Sequence, residues 1–213
     1  MARTLHDALE GFSLQLPDEQ IAQLSRYCEL LWEWNQKLNL TRHTDYDLFV
    51  GRDVIDSLAL AELLQPDEDV LDLGTGGGVP GVLIAILRPD LQMSLCESVG
   101  KKAAAIDAII SELQLQVPVY HARGEDLLED FRYSTIVARA VGPMSRVLRW
   151  LAPHWISIGR LLLIKGPRWV DERADARHRG LLQSLELRCV KRYPMPGTES
   201  ESVILQIASK PAN

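Results

Sequence analysis

The residues best suited to chemistry lie in Val70–Gly81, V-L-D-L-G-T-G-G-G-V-P-G. An apolar strand containing Asp72 runs into a turn with Gly74, Gly76 and Gly78, and a helix follows. Glycines let the backbone take positive φ and approach a ligand closely. The N–H groups of the helix start then face that ligand. In doubly wound sheets ligands bind at the carboxyl ends of strands, and the first strand–helix turn is the usual place. A tight turn without a ligand is the competing reading, and the density of glycines directly after a strand weighs against it.

Two cofactor classes fit this turn. Gly76, Gly78 and Gly81 satisfy G-x-G-x-x-G, the dinucleotide fingerprint. Gly74, Gly76 and Gly78 satisfy G-x-G-x-G, the pattern of S-adenosylmethionine (SAM) binders. Pro80 falls at a first helical turn, where proline is tolerated. A C-terminal antiparallel hairpin, argued below, also favours SAM, since SAM-dependent methyltransferases add one to the doubly wound sheet. Glu97 ends the second expected strand, where a carboxylate can accept both ribose hydroxyls of either class. Its alternative is an exposed strand-end charge. Arg139 closes the run Thr135–Ala138 and Lys165 closes Leu161–Ile164. A cation so placed must leave the core or find a partner.

The elements that must position these groups begin at residue 69. Strands are expected at Asp69–Leu73, Gln92–Glu97, Val117–His121, Ser134–Arg139 and Arg160–Lys165, with helices at 79–88, 99–113 and 143–157 between them. Such alternation calls for a parallel sheet with right-handed crossovers. A helix near 170–183 precedes two further strands, Leu185–Arg192 and Ser202–Ala208. Their short link, with two prolines and a glycine, predicts a hairpin and an antiparallel last strand. The expected fold is therefore α/β, a doubly wound, Rossmann-like sheet of seven mostly parallel strands. Residues 1–66 read as a helical extension and 67–213 as the sheet domain. Within the extension, Ile21, Leu24, Cys28, Leu31 and Leu38 share one face of a helix over 18–40, and a second helix is expected over 52–64.

The chain has 213 residues and a formal net charge of −6. Residues 1–69 hold 5 Lys+Arg against 14 Asp+Glu, whereas 139–192 hold 12 against 4. That asymmetry leaves one side of the molecule suited to a phosphate-bearing partner. No apolar run approaches the roughly 18 residues of a membrane span. Met1–Glu10 lacks the apolar core of a signal peptide, so a cytoplasmic location is expected. Cys28, Cys96 and Cys189 are too few and too scattered for a zinc site or a disulfide framework. No metal is expected.

Taken together, the chain resembles the bacterial 16S ribosomal RNA guanine-N7 methyltransferases, the glucose-inhibited division protein B family. The resemblance rests on Trp34–Thr41 (W-N-Q-K-L-N-L-T), Arg52–Ser57 (R-D-V-I-D-S), Asp72–Gly81, Ser98–Lys102, Arg123-Gly-Glu125, Ala138-Arg-Ala140 and Lys165-Gly166. It implies a SAM site at Gly74 and Val79, at Gly124 and Glu125, and at Arg139, with Asp72, Gly76, Gly78 and Glu97 completing the cofactor set. It implies substrate contacts at Arg52, Ser57, Arg123 and Lys165. Arg139 is open to the methionine carboxylate, an RNA phosphate or the guanine. The chain departs from the family in having Asp53 where a histidine is common, and Glu199–Ser202 where a basic pair is common. Both changes remove positive charge.

The resemblance implies methyl transfer from SAM to guanine N7 of 16S ribosomal RNA, free or in the small subunit, by a monomer. N7 carries a lone pair and no proton, so no general base is expected. A SAM-dependent enzyme on another nucleobase or small molecule, an NAD(P)-dependent oxidoreductase, and an RNA-binding protein with a retained SAM pocket are the alternatives. Arg139→Ala is expected to affect transfer more than folding.

Overall fold

The structure, a computed structural model, describes residues 4–211. Met1–Arg3 of the N-terminal stretch and Ala212–Asn213 of the sheet domain lie outside the described residues. The sheet has seven strands: β1 (Asp69–Leu73), β2 (Gln92–Glu97), β3 (Val119–His121), β4 (Tyr133–Arg139), β5 (Ile158–Lys165), β6 (Leu185–Pro194) and β7 (Glu201–Ser209). Their order is β3-β2-β1-β4-β5-β7-β6. Strands β1 to β5 pair parallel, and β7 enters antiparallel between β5 and β6. The strand order reverses between β1 and β4, so the first crossover loops open at one edge of the sheet, the place where such folds hold ligands.

Four helical stretches precede the sheet: α1 (Leu5–Gly11), α2 (Asp18–Asn35), α3 (Tyr46–Leu48) and α4 (Ile55–Ala61), with a π-helical turn at Phe49–Val54 joining the last two. Helix α2 ends five residues before the expected boundary. The Asn35 side-chain oxygen accepts from the N–H groups of Leu40 and Thr41 at 2.8 and 3.0 Å, which folds the chain back instead of continuing the helix. Leu24, Tyr27, Cys28 and Leu31 of α2 and Phe49 and Val54 join one buried cluster with Val82, Leu83, Leu95 and Ile106 of the sheet domain. The charge changes sign near residue 69, but the packing is continuous across it.

The crossovers are α5 (Gly81–Leu87), α6 (Gly100–Glu112), α7 (Gly124–Asp130), α8 (Met144–Leu151) and α9 (Trp169–His178). Helix α7 has no counterpart among the helices expected from sequence. Glu125 and Asp126 sit in its first turn, where the helix dipole favours acids. Strand β3 starts two residues late because Pro118 has no N–H for the ladder, although its carbonyl still accepts from Leu95 at 2.9 Å. Helix α8 gives way to a 3₁₀ turn, Ala152–Ser157, at Pro153. Among the described residues no helix is long and apolar enough to cross a membrane.

Candidate active site

The glycine loop is held from both sides. Asp72 Oδ2 accepts from Thr75 Oγ1 at 2.6 Å and from the Gly81 N–H at 2.8 Å, so one carboxylate ties the loop's start to the following helix. Asp72 is 1% exposed, and its other oxygen is buried with no partner among the described residues. Burial pushes this carboxyl up to about 6, against the opposing pull of the two hydrogen bonds. Tyr27 of α2 donates to the Gly77 carbonyl at 2.6 Å. Gly78 has φ +99°, and a Cβ there would stand 2.7 Å from Val82 Cγ2. Asp72 and Gly78 therefore shape the loop, and neither lines the two cavities beside it.

Two cavities open on this edge of the sheet. The larger, about 490 Å³, is lined by Gly74, Glu97 and Ser98, by Arg123, Gly124 and Glu125, and by Val141 and Trp150. The smaller, about 230 Å³, is lined by Gly74, Gly76, Val79, Glu97, Lys102 and Arg139, with Leu31, Leu40 and Thr41 of the extension closing it. They share Gly74 and Glu97. The larger volume lies within the roughly 300–1,000 Å³ of small-molecule sites. Glu97 is oriented by backbone: its two oxygens accept from Gly76 at 3.0 Å and Val99 at 2.8 Å. Gly124 leaves room for Leu73, whose Cδ1 would lie 2.1 Å from a Cβ at that position. Arg123 projects outward with its side chain 72% exposed.

Arg139 finds partners rather than solvent. Its Nη2 donates to Asp53 Oδ1 at 2.7 Å and its Nη1 to Asp56 Oδ2 at 3.1 Å. Burial works against its charge, but Asp53 and Asp56 outweigh that and raise its pKa above the ordinary arginine value. His43 Nδ1 lies 2.9 Å from both oxygens of Asp53. Tyr193 of β6 donates to Asp56 Oδ1 at 2.7 Å. Asp53 thus does more than remove a positive charge. The π-helical turn delivers it between His43 and Arg139, an arrangement that periodicity could not disclose.

The four expected substrate contacts diverge. Arg123 borders the larger cavity. Ser57 is fully buried, and its hydroxyl donates back to the Asp53 carbonyl at 2.8 Å, so it faces no open space. Arg52 is half-buried and lines neither cavity, and its Nη1 is buried without a partner among the described residues. Lys165 is turned inward: its Nζ donates to the Gly142 carbonyl at 2.6 Å and meets Glu172 at 2.7 Å. Glu172 also accepts from the Met144 N–H, so this pair fixes the loop after β4 and the start of α8. Trp150 and Lys102 line the cavities and were given no role from sequence, although Lys102 closes the Ser98–Lys102 stretch. Trp150 stands 37% exposed at the flank of α8, a place an amphipathic reading assigns to solvent. Among the described residues no group of three or more His, Cys, Asp or Glu gathers as a metal-ligand set.

The sequence profile of the GidB family, rRNA small subunit methyltransferase G, matches residues 20–198. The chain belongs to the GidB family. Its GidB relatives include the ribosomal RNA small subunit methyltransferase G of Rhodopirellula baltica, 56% identical over 194 residues, which span 91% of this chain and 84% of that one. The protein of the same name from Roseiflexus is 35% identical over 209 residues, 94% of this chain and 88% of the other. Solved structures with the same fold include the 23S rRNA methyltransferase ErmE, with a TM-score of 0.54, 19% identity, and coverage of 75% of this chain and 69% of that one. A variant of MtNAS in complex with S-adenosylmethionine gives a TM-score of 0.56 at 12% identity, covering 96% and 84%. At these identities the likeness concerns the fold alone. That fold, a doubly wound sheet ending in an antiparallel hairpin, is the one the GidB resemblance implied.

Proposed function

We propose that this protein transfers the methyl group of SAM to N7 of a guanine in 16S ribosomal RNA. The observation that carries the reading is the meeting of two cavities at Gly74 and Glu97, on the carboxyl edge of β1 and β2, in a chain of this family. The residues present fit the cofactor. Gly76 leaves open space, the nearest heavy atom to a Cβ there being the Gly74 carbonyl oxygen at 3.9 Å. Glu97 is anchored through single backbone contacts and keeps acceptor capacity for two ribose hydroxyls. Gly124, Glu125 and the ring of Trp150 border the cavity on the adenine side.

When bound, SAM supplies an electrophilic methyl on a sulfonium. Guanine N7 attacks with its own lone pair, so the protein need not remove a proton. Its contribution is to hold the two reactants in line, which can offset much of the barrier. Gly74, Gly76 and Val79 keep the backbone close on one side, and the Arg139 cluster walls the other. The RNA-facing surface is smaller than the count of basic residues suggested. Arg139 and Lys165 are committed inward, and Arg160 bonds Glu68, Thr135 and the Leu63 carbonyl. Arg146, Arg149, Arg168 and Arg177 remain exposed to meet phosphates, while Arg179 is paired with Asp175. We read the protein as a cytoplasmic monomer.

The deciding experiment is tritiated-methyl transfer from SAM to unmodified ribosomal RNA or 30S particles, with mapping of the labelled base. Label at a guanine N7 of the 16S RNA is the expected result. Label elsewhere, or none, overturns the reading.

A further inference from the structure

SAM carries a carboxylate as well as its sulfonium and ammonium groups, and a site that holds it must answer that negative charge. Two cations line the smaller cavity, Arg139 and Lys102. Arg139 is already answered. With Asp53 and Asp56 on its two terminal nitrogens, both ends of the guanidinium are already engaged by carboxylates, beside which a further carboxylate is disfavoured.

Lys102 stands differently. It is half-buried on the cavity wall, and no described residue forms an ion pair or hydrogen bond with its side chain. Glu97, on the same wall, is turned to the backbone of Gly76 and Val99. Lys102 also lies in the first turn of α6, a turn without an acid. The helix dipole disfavours a cation there. Neither an acidic partner nor the helix end accounts for the placement. An anion in the cavity would.

We propose that Lys102 receives the methionine carboxylate of SAM and makes the site select the intact cofactor over analogues lacking that group. The proposal rests on the SAM reading above and adds the residue that discriminates.

The test is calorimetric binding of SAM and of decarboxylated SAM to the full chain, without RNA. Wild-type protein should prefer SAM by about tenfold, the worth of one charge-assisted contact. Lys102→Met should abolish that preference by weakening SAM while leaving the decarboxylated analogue within about twofold. Lys102→Arg should retain it. A variant merely loosened in its fold would weaken both ligands together. Equal loss for both ligands, or an unchanged preference in Lys102→Met, overturns the assignment. So does a preference lost in Arg139→Gln and kept in Lys102→Met. A wild type that binds both ligands equally well overturns the role of Lys102 and leaves the cofactor reading standing. A wild type that binds neither overturns both.

Discussion

Arg139 Nη2 donates to Asp53 Oδ1 at 2.7 Å, joining residues 86 positions apart. The bond ties the π-helical turn of the extension to the end of β4. Removing either partner leaves the other buried with a single side-chain contact, Asp56 for Arg139 or His43 for Asp53. Asp53→Ala should cost about 3 kcal/mol of unfolding free energy in urea titrations. A double-mutant cycle with Arg139→Ala should return a coupling of at least about 1 kcal/mol. Additive losses would show that the pair contributes little. Arg139→Ala itself should lower stability as well as transfer, since its two carboxylate contacts are both lost.

Asp72 makes stability depend on pH in an unusual direction. Its folded-state pKa of about 6 lies above the ordinary 3.8, because burial disfavours the charged form. The folded state therefore gains from the protonated carboxyl. That gain is complete below about pH 4 and is lost as pH rises through about 6. The shift corresponds to about 3 kcal/mol at most. Asp72→Asn cannot ionise, so the difference in stability between variant and wild type should move in the variant's favour between pH 4 and 7 (a range set by about one unit around those values). Parallel stability profiles would show that Asp72 does not titrate in that window.

Gly78→Ala combines a positive φ with a contact of 2.7 Å to Val82. The expected cost is about 1–3 kcal/mol. Because the loop must shift to accept the methyl, SAM affinity measured by calorimetry should fall further than that of wild-type protein destabilised equally by urea. Wild-type affinity in the variant would separate the loop's shape from binding.

Arg146 and Arg149 flank Trp150 on the exposed side of α8. Replacing both with alanine should weaken RNA binding and reduce the slope of log K against log salt by about 1 to 2, one per lost phosphate contact. Binding of S-adenosylhomocysteine should be unchanged. An unaltered salt slope would place the RNA elsewhere.

Trp150 on the cavity wall should report the cofactor directly. Its fluorescence should quench when S-adenosylhomocysteine binds, Trp150→Phe should lose the quench while keeping affinity, and Trp150→Ala should weaken binding by about 1 kcal/mol. Unchanged affinity in Trp150→Ala would take the ring out of the site.

Much of this architecture was legible because periodicity reports burial. The apolar runs at Val70–Leu73 and Leu161–Ile164 are strands with both faces covered, and such segments read clearly. The glycine loop was legible because its chemistry is local. Lys165 and Ser57 were not legible in the same way. Their partners, Glu172 and the Asp53 carbonyl, depend on how helices meet, and nothing in a residue's type announces that. Asp53 shows the limit most clearly. Read alone it is a lost cation, while in place it balances one.

The bond from Tyr193 to Asp56 spans 137 positions and brings the C-terminal hairpin against the extension. A contact of such long range forms only after most of the chain exists, since closing so large a loop costs entropy before any contact repays it. On a translating ribosome, Asp56 emerges early and waits for β6. The Arg139 cluster is completed only when the hairpin arrives, so an unfinished chain has no finished wall on its smaller cavity.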